Sequence, residues 1–147
     1  MQLALRLALD DDLQFSFDAK RDALGPHITR RWGWDQEFQR KHHLSRWSSK
    51  PWQIITLGAT PIGTVSIDWR LSYMQFGEFY ILNAYRSQGL GTKILTEVLM
   101  EADQKNSETR LEYLKWNPVS SLYARHGFKI LSENETHYFL ARTPNKI

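Results

Sequence analysis

One stretch, ILNAYRSQGLGT at residues 81–92, decides how this chain folds. An apolar segment precedes it and an amphipathic segment follows, so it predicts a strand, a loop and a helix in succession. Gly89 and Gly91 let the backbone turn sharply and leave its N–H groups uncovered by side chains. Those groups open a helix, whose dipole favours negative charge, and Arg86 adds a fixed positive charge. The loop therefore predicts a phosphate or pyrophosphate site. The alternative is a turn whose glycines serve backbone geometry alone.

Outward from this loop, the hydrophobic pattern predicts a mixed α/β domain. Before the loop we expect a strand at 2–9, a helix at 12–24 that Gly25-Pro26 ends, a partly helical segment in which Asp35 caps 36–43, a hairpin of 52–57 and 62–69, and a strand at 76–82. The end of that last strand, residues 79–82, is predicted to be buried on both faces. After the loop we expect a helix, a strand at 111–115, a short helix at 118–126, and strands at 128–131 and 136–142. The buried face of the first of these helices is predicted to hold Ile94, Leu95, Val98, Leu99 and Ala102.

The second informative stretch is WNPVSSLYARHGF at residues 116–128. Asn117 is a favoured N-cap, Pro118 fits the first helical position, and Gly127 fits the position after the helix. The helical spacing directs Tyr123 inward, where its hydroxyl needs a hydrogen-bonding partner. Tyr123 is therefore a candidate reactive group, with a core tyrosine bonded to backbone as the alternative.

The composition is that of one ordinary domain with crowded tryptophans. The chain has 147 residues, of which six are tryptophan and none is cysteine. We expect a single domain over residues 1–147, without disulfides, thiolate metal sites or a cysteine nucleophile. The net charge is +3, and eight basic against three acidic residues fall between Lys20 and Lys50. The first nine residues lack a secretion signal and no stretch approaches the ~18 apolar residues of a membrane span, so we expect a cytoplasmic protein without a membrane partner.

Together the two stretches resemble the GNAT N-acetyltransferase superfamily, and the order of elements agrees over nearly the whole chain. The resemblance implies a twisted mixed sheet of six to seven strands flanked by about four helices. It also implies acetyl-CoA as co-substrate, held in a split between the strands at 76–82 and 111–115, with a backbone N–H near Leu82 bonded to the thioester carbonyl. The positions that match the cofactor-binding motif are Ile81, Leu82, Asn83, Arg86, Ser87, Gln88, Gly89, Leu90, Gly91, Thr92, Asn117 and Tyr123.

The same resemblance implies catalytic roles. Tyr123 is similar to the general acid that protonates the departing thiolate. Glu78 is our candidate base, directly or through a water, against the alternative of a glutamate at a wet sheet end. His126 and Asp68 are weaker candidates for the base. Without cysteine, we expect direct attack by an amine in a ternary complex.

The segment after the first strand generally builds the acceptor pocket in this superfamily. We therefore predict that Trp32 and Trp34 form walls of that pocket, with ordinary packing under a long loop as the alternative. For His42 and His43 we expect a solvated face and no metal site, because no Asp, Glu or Cys stands at ligand spacing. Three departures from the family pattern are Asn83 for proline, Ser87 for glycine and Val119 for a small residue, and the last leaves the role of Asn117 open.

These observations predict an acetyl-CoA-dependent N-acetyltransferase that acts on a primary amine of a small molecule or peptide, as a monomer or homodimer. A non-catalytic acyl-CoA sensor on the same fold is the alternative. A nucleic-acid module that uses the basic, tryptophan-rich segment is a third hypothesis. We expect no nucleic-acid partner, because nothing in the sequence forms a groove-reading motif.

Overall fold

The computed structural model describes residues 2–146, which divide into two compact units. The first unit holds the residues up to 67 together with 78–87, and the second holds 68–77 together with the residues from 88 onward. The described strands form one hydrogen-bonded sheet in the spatial order 3–7, 52–57, 60–69, 73–81, 108–114, 137–142 and 129–133, and four α-helices occur in the described chain. The prediction of a mixed α/β fold with six to seven strands and about four helices is confirmed.

The first unit carries the N-terminal strands and two long helices. In chain order these are β1 (Leu3–Leu7), α1 (Leu13–Trp32), α2 (Gln36–Ser49), β2 (Trp52–Leu57), most of β3 (Thr60–Trp69) and the end of β4 (Tyr73–Ile81). β1 runs antiparallel to β2 with Leu5 opposite Ile55, and β2 runs antiparallel to β3 with Ile54 opposite Thr64. Ile54 and Ile55 are fully buried, so both faces of β2 are covered.

The second unit holds the last two residues of β3 and the first half of β4. This half of β4 pairs in parallel with β5 (Glu108–Leu114), from Tyr73 opposite Glu108 to Gln75 opposite Arg110. Its remaining elements are α3 (Leu90–Gln104), β5 (Glu108–Leu114), α4 (Ser120–Arg125), β6 (Lys129–Glu133) and β7 (His137–Arg142). β7 lies antiparallel to both β5 and β6. The buried residues of α3 are the five predicted from its periodicity, namely Ile94, Leu95, Val98, Leu99 and Ala102.

The predicted end of α1 at Gly25-Pro26 is wrong, because the helix continues to Trp32. A proline ring normally clashes with the Cβ of the preceding helical residue, and Gly25 has none. Burial of Leu24 and Ile28 on either side of the pair holds the chain helical. The helix ends instead at Gly33, whose φ of +75° suits glycine and whose N–H bonds to Thr29 O at 3.1 Å.

The short helix α4 also starts later than predicted. Asn117 is not its N-cap, since the helix begins at Ser120 after Val119. The carbonyl of Asn117 accepts the N–H of Val119 at 2.8 Å, so this stretch forms a turn before the helix. The predicted stop is confirmed: Gly127 has φ +89°, and Phe128 N–H bonds back to Tyr123 O at 3.1 Å, as in a Schellman motif.

The end of β4 is less buried than predicted. Met74, Phe76 and Glu78 are buried, whereas the residues between them and residues 79–82 are half-buried. The apolar run at 79–82 therefore belongs to a strand end with solvent-accessible surface, rather than to a strand covered on both faces. Within residues 2–146, no helix is long and apolar enough to cross a membrane.

Candidate active site

The glycine loop reaches α3 through two residues in left-handed backbone conformations. Ser87 has φ +63° and Gly89 has φ +77°. A serine at such a φ costs about 1 kcal/mol relative to its relaxed conformation. Gly89 is the N-cap of α3; it provides no side-chain cap, and the first turn has no acidic residue. A Cβ built on Gly89 meets nothing within 4 Å, so the start of α3 has open space beside it.

A carboxylate on α1 fixes the first half of the loop. Asp22 Oδ2 accepts the N–H of Asn83 at 2.7 Å and Nη2 of Arg86 at 3.0 Å. Arg86 Nε also donates to the carbonyl of Ile81 at 2.7 Å. Arg86 therefore braces the loop in addition to supplying charge. Asp22 was not among the site residues predicted from the sequence, since its partners Asn83 and Arg86 lie 61 and 64 positions along the chain.

Backbone donors near Leu82 are already in use. The N–H of Leu82 bonds to Ile62 O at 2.8 Å, and the N–H of Asn83 bonds to Asp22. A thioester carbonyl that bonded to either group would have to displace one of these hydrogen bonds.

Glu78, the candidate base, is buried. It therefore does not lie at a solvent-exposed end of the sheet, which was the alternative to a catalytic role. Its side chain is 2% exposed, and Oε1 lies 3.6 Å from Nη1 of Arg46. Oε2 is buried and has no hydrogen-bonding partner among the described residues 2–146. The backbone φ of Glu78 is +47°, and its carbonyl accepts the hydroxyl of Thr64 at 2.8 Å. An unsatisfied buried carboxylate on strained backbone is a combination that clusters at functional sites.

Positive charge surrounds this carboxylate within the first unit. Lys20 on α1 is buried, and burial lowers its pKa to about 8, an effect that Glu78 opposes and Arg46 strengthens. Nε of Arg46 donates to Nε2 of His42 at 2.9 Å. Glu78 is thus a buried anion beside two cations from α1 and α2.

For His43 the expected solvated face is wrong, while His42 is exposed as predicted. His43 is 1% exposed, and its ring centroid lies 5.2 Å from that of Trp52 and 5.5 Å from that of Phe17. Its Nε2 lies 2.7 Å from Ser16 Oγ. Burial, together with the nearby charge of Lys20, lowers the pKa of His43 to about 4, so the ring is neutral at pH 7. No group of three or more potential metal ligands occurs in the part of the chain that the structure describes.

Tyr123 lies in an aromatic cluster of the second unit. It is 6% exposed, its ring stacks on that of Tyr113 at a centroid distance of 5.8 Å, and it meets the Phe128 ring edge-on at 5.5 Å. Burial raises the pKa of the Tyr123 phenol, and Tyr113 adds to the rise. The phenol therefore keeps its proton at neutral pH, as a proton donor must.

The two weaker candidates for the base are engaged elsewhere. Asp68 Oδ2 forms an ion pair with Arg70 Nη2 at 2.8 Å. Nδ1 of His126 lies 2.8 Å from the carbonyl oxygen of Leu122 in the preceding turn of α4. Both side chains have local structural partners, which leaves Glu78 as the candidate with an unsatisfied oxygen.

The four clustered tryptophans divide into packed and accessible side chains. Trp52 is 4% exposed and lies 5.4 Å from Trp47 between ring centroids. Trp34 is half-buried; its Nε1 donates to Gln36 Oε1 at 2.7 Å, and Arg21 lies over its ring. Trp32 is 59% exposed at the end of α1. Of the four, only Trp52 is buried, so Trp32 and Trp34, like the half-buried Trp47, keep surface that a ligand could contact.

Comparison with known proteins agrees with this architecture. A family model described as an acetyltransferase (GNAT) domain matches residues 52–130, which is more than half of the chain. The chain is similar to the PaiA N-acetyltransferase from Thermoplasma acidophilum in complex with coenzyme A, with a TM-score of 0.77 and 16% identity over 97% of this chain and 99% of that one. It is also similar to the ribosomal-protein-S18-alanine N-acetyltransferase from Escherichia coli, with a TM-score of 0.70 and 14% identity over 99% and 96% of the two chains. These likenesses concern the fold.

The family match identifies the class: this chain belongs to the GNAT acetyltransferase family. Its glycine loop lies inside the matched segment, as do Glu78 and Tyr123.

Proposed function

We propose that this protein transfers an acetyl group from acetyl-CoA to a primary amine of a small molecule or peptide. The observation that carries the proposal is the start of α3, where a left-handed Gly89 opens the helix without a side-chain cap or an acidic first turn. Such an end suits a pyrophosphate. The Thermoplasma relative, whose structure holds coenzyme A, supports the choice of co-substrate.

In our proposal, residues in and around the glycine loop bind acetyl-CoA. We assign the pyrophosphate to backbone N–H groups from Gln88 to Thr92, with Ser87 shaping the turn before them. Arg86 braces this turn against Asp22 at 3.0 Å. The other residues that we assign to acetyl-CoA are Ile81, Leu82, Asn83, Asn117 and Tyr123.

Acetyl-CoA supplies an activated carbonyl carbon, and side chains of the protein accept and donate the protons that the reaction transfers. In our proposal the neutral amine attacks that carbon, an amide C–N bond forms, and the C–S bond breaks. Glu78 receives the proton lost by the amine, directly or through a water. Tyr123 gives its proton to the departing thiolate, so that charges and protons balance. No covalent acetyl-enzyme is required, and the chain has no cysteine to form an acetyl-cysteine.

The acceptor is assigned to the region of Trp32 and Trp34. Both flank the end of α1, and both retain solvent-accessible ring surface. The E. coli relative is a ribosomal-protein-S18-alanine N-acetyltransferase, which supports an amine acceptor as the class. We propose that the protein acts in the cytoplasm as one domain.

Acetyl-CoA binding measured by calorimetry tests the cofactor site. Gly89→Trp should weaken binding at least tenfold, because its side chain fills the open space beside α3. Gly33→Trp is the matched control, since Gly33 has φ +75° and equally open surroundings at the end of α1. Equal binding by wild type and Gly89→Trp would refute the glycine-loop site. Thiol release with a panel of primary amines then separates an enzyme from an acyl-CoA sensor, which binds without turnover.

A further inference from the structure

The guanidinium of Arg46 lies between a carboxylate on β4 and an imidazole on its own helix, α2. Its Nη1 lies 3.6 Å from Oε1 of Glu78, and its Nε donates to Nε2 of His42 at 2.9 Å. All three residues belong to the first unit. Because the guanidinium is planar and rigid, a hydrogen bond at Nε sets the direction in which the other two nitrogens point. Arg46 therefore connects His42 to Glu78 through one rigid group.

The hydrogen bond to Arg46 determines the protonation of His42. An arginine nitrogen only donates, so Nε2 of His42 accepts and the ring proton lies on Nδ1. Partial burial lowers the pKa of this ring, and positive charges lower it further, namely those of Lys20, Arg46 and Lys50. The charge of Glu78 opposes the fall. His42 is therefore neutral at pH 7, in the form that accepts a hydrogen bond.

Packing holds His42 and Arg46 in place. The His42 ring stacks on that of Phe38, with the centroids 6.1 Å apart and the planes at 11°. The carbonyl of Arg46 accepts Nε1–H of the buried Trp52 at 3.0 Å. The side chain of Glu78 is 2% exposed and that of Arg46 is 28% exposed, so water and salt screen their attraction only weakly. The orientation of Arg46 therefore acts directly on the carboxylate.

We propose that His42 and Arg46 are positioning residues for Glu78. Neutral His42 orients the guanidinium of Arg46, and Arg46 holds the carboxylate of Glu78 in the orientation in which it receives the proton of the amine. This role rests on the proposed function, in which Glu78 is the base. Neither positioning residue contacts the amine or acetyl-CoA in this proposal. The three residues act in series, so that His42 acts only through Arg46 and Arg46 only through Glu78.

Steady-state thiol release tests the role of Arg46. Arg46→Met should lower kcat about tenfold, because the carboxylate loses the group that orients it. The KM for acetyl-CoA should stay within about twofold, since the cofactor site is unchanged. Lys20 keeps a positive charge near Glu78 in this variant, so the fold should be retained. Arg70→Met, which breaks an ion pair with Asp68, is the matched control and should leave kcat unaltered.

Two variants of His42 separate orientation of the guanidinium from packing of the ring. His42→Leu removes the acceptor for Nε of Arg46 and should lower kcat about three- to fivefold. His42→Gln should keep kcat within about twofold of the wild-type value, because its amide oxygen can accept the same hydrogen bond. Equal kcat values in the two variants would show that this hydrogen bond has no effect, and would overturn the role of His42.

Combined variants test whether the three residues act in series. Adding His42→Leu to Arg46→Met should change kcat by less than about twofold, because the residue through which His42 acts is already absent. Adding Arg46→Met to Glu78→Gln should likewise change kcat little. Multiplied losses in these pairs, or full kcat in Arg46→Met beside a low kcat in Glu78→Gln, overturn the positioning roles alone. Full kcat in Glu78→Gln overturns the proposed base as well.

A carbon NMR spectrum of the Glu78 carboxyl group measures the connection without turnover. His42→Leu should move this resonance at pH 7, because Arg46 is no longer held, and His42→Gln should move it much less. His27→Leu is the control, since His27 contacts Arg30 at 3.4 Å on α1, and it should leave the resonance in place. An unmoved Glu78 resonance in His42→Leu contradicts the connection through Arg46, whatever the kinetics show.

Discussion

Nη1 of Arg46 lies 3.6 Å from Oε1 of Glu78, and this ion pair joins α2 to β4 inside the first unit. The remaining oxygen of Glu78 is buried without a partner, on a backbone with φ +47°. Arg46 is itself held, because its carbonyl accepts Nε1–H of Trp52 at 3.0 Å. The carboxylate is therefore ion-paired through one oxygen, while the other has no hydrogen-bonding partner among residues 2–146.

The first prediction concerns this carboxylate. Glu78→Gln keeps the shape of the side chain but removes its basicity, so kcat should fall about 10²-fold, the lower end for loss of a general base. The KM for acetyl-CoA should stay within about twofold. Glu97→Gln, an exposed change on α3, should leave kcat unaltered. Steady-state thiol release gives kcat for the wild type and both variants. An unchanged kcat for Glu78→Gln would show that Glu78 has a structural role and not a catalytic one.

The second prediction follows from the charge beside Lys20. Burial lowers the pKa of Lys20 to about 8, and the charge of Glu78 limits this fall. Glu78→Gln should therefore lower the pKa of Lys20 further, which NMR titration of the lysine side-chain signal measures. A Lys20 pKa near the ordinary 10.4 in wild type, or a rise in the variant, would show that the two groups do not interact as described.

The third prediction concerns Asp22 as the anchor of the glycine loop. Asp22→Ala removes the acceptor for both Asn83 and Arg86, so the KM for acetyl-CoA should rise about three- to tenfold as the loop loses its fixed shape. The Asp22–Arg86 pair is partly exposed, with side chains 38% and 35% accessible, so the free energy of unfolding should change by less than about 1 kcal/mol. Asp18→Ala on the same helix is the control. A variant with unaltered KM would show that the loop keeps its shape without Asp22.

Features of the fold and the site that depend on neighbouring residues could be predicted from the sequence, whereas features that depend on residues far along the chain could not. The amphipathic face of α3, the N-cap Asp35 and the stop at Gly127 depend on neighbouring residues, and each was predicted correctly. The end of α1 was predicted wrongly. Pro26 does not end the helix, because Gly25 has no Cβ to clash with the proline ring and because burial around the pair stabilises the helix.

Features that depend on distant residues left no signal in the local pattern. Asp22 meets Asn83, 61 positions along the chain, and His43 meets Ser16, 27 positions away. The burial of His43 arises from rings of Phe17 and Trp52 contributed by other elements. The positive φ of Glu78 is likewise a tertiary property, because glutamate has no preference for that conformation.

The fourth prediction is acid sensitivity from His43. Its pKa is about 4 in the folded protein and about 6.5 when unfolded, so the unfolded state binds the extra proton between these values. The stabilising contribution is complete above pH 6.5 and is lost as the pH falls towards 4, up to about 3 kcal/mol. Urea unfolding at pH 7 and pH 4.5 measures the loss, and NMR assigns it to His43. A His43 ring that titrates near pH 6.5 in the folded protein contradicts the burial described here.

Thiol release from acetyl-CoA, measured by rapid quench with and without a primary amine, tests the central claim most directly. Direct transfer predicts that thiol appears only when amine is present, with one acetylated amine for each thiol released. It also predicts that Tyr123→Phe slows this step about 10²-fold, while Tyr138→Phe does not; the Tyr138 ring lies 5.7 Å from that of Tyr113, on which Tyr123 stacks. Stoichiometric thiol release without amine, or no release with any amine of a broad panel, would contradict direct acetyl transfer by this protein.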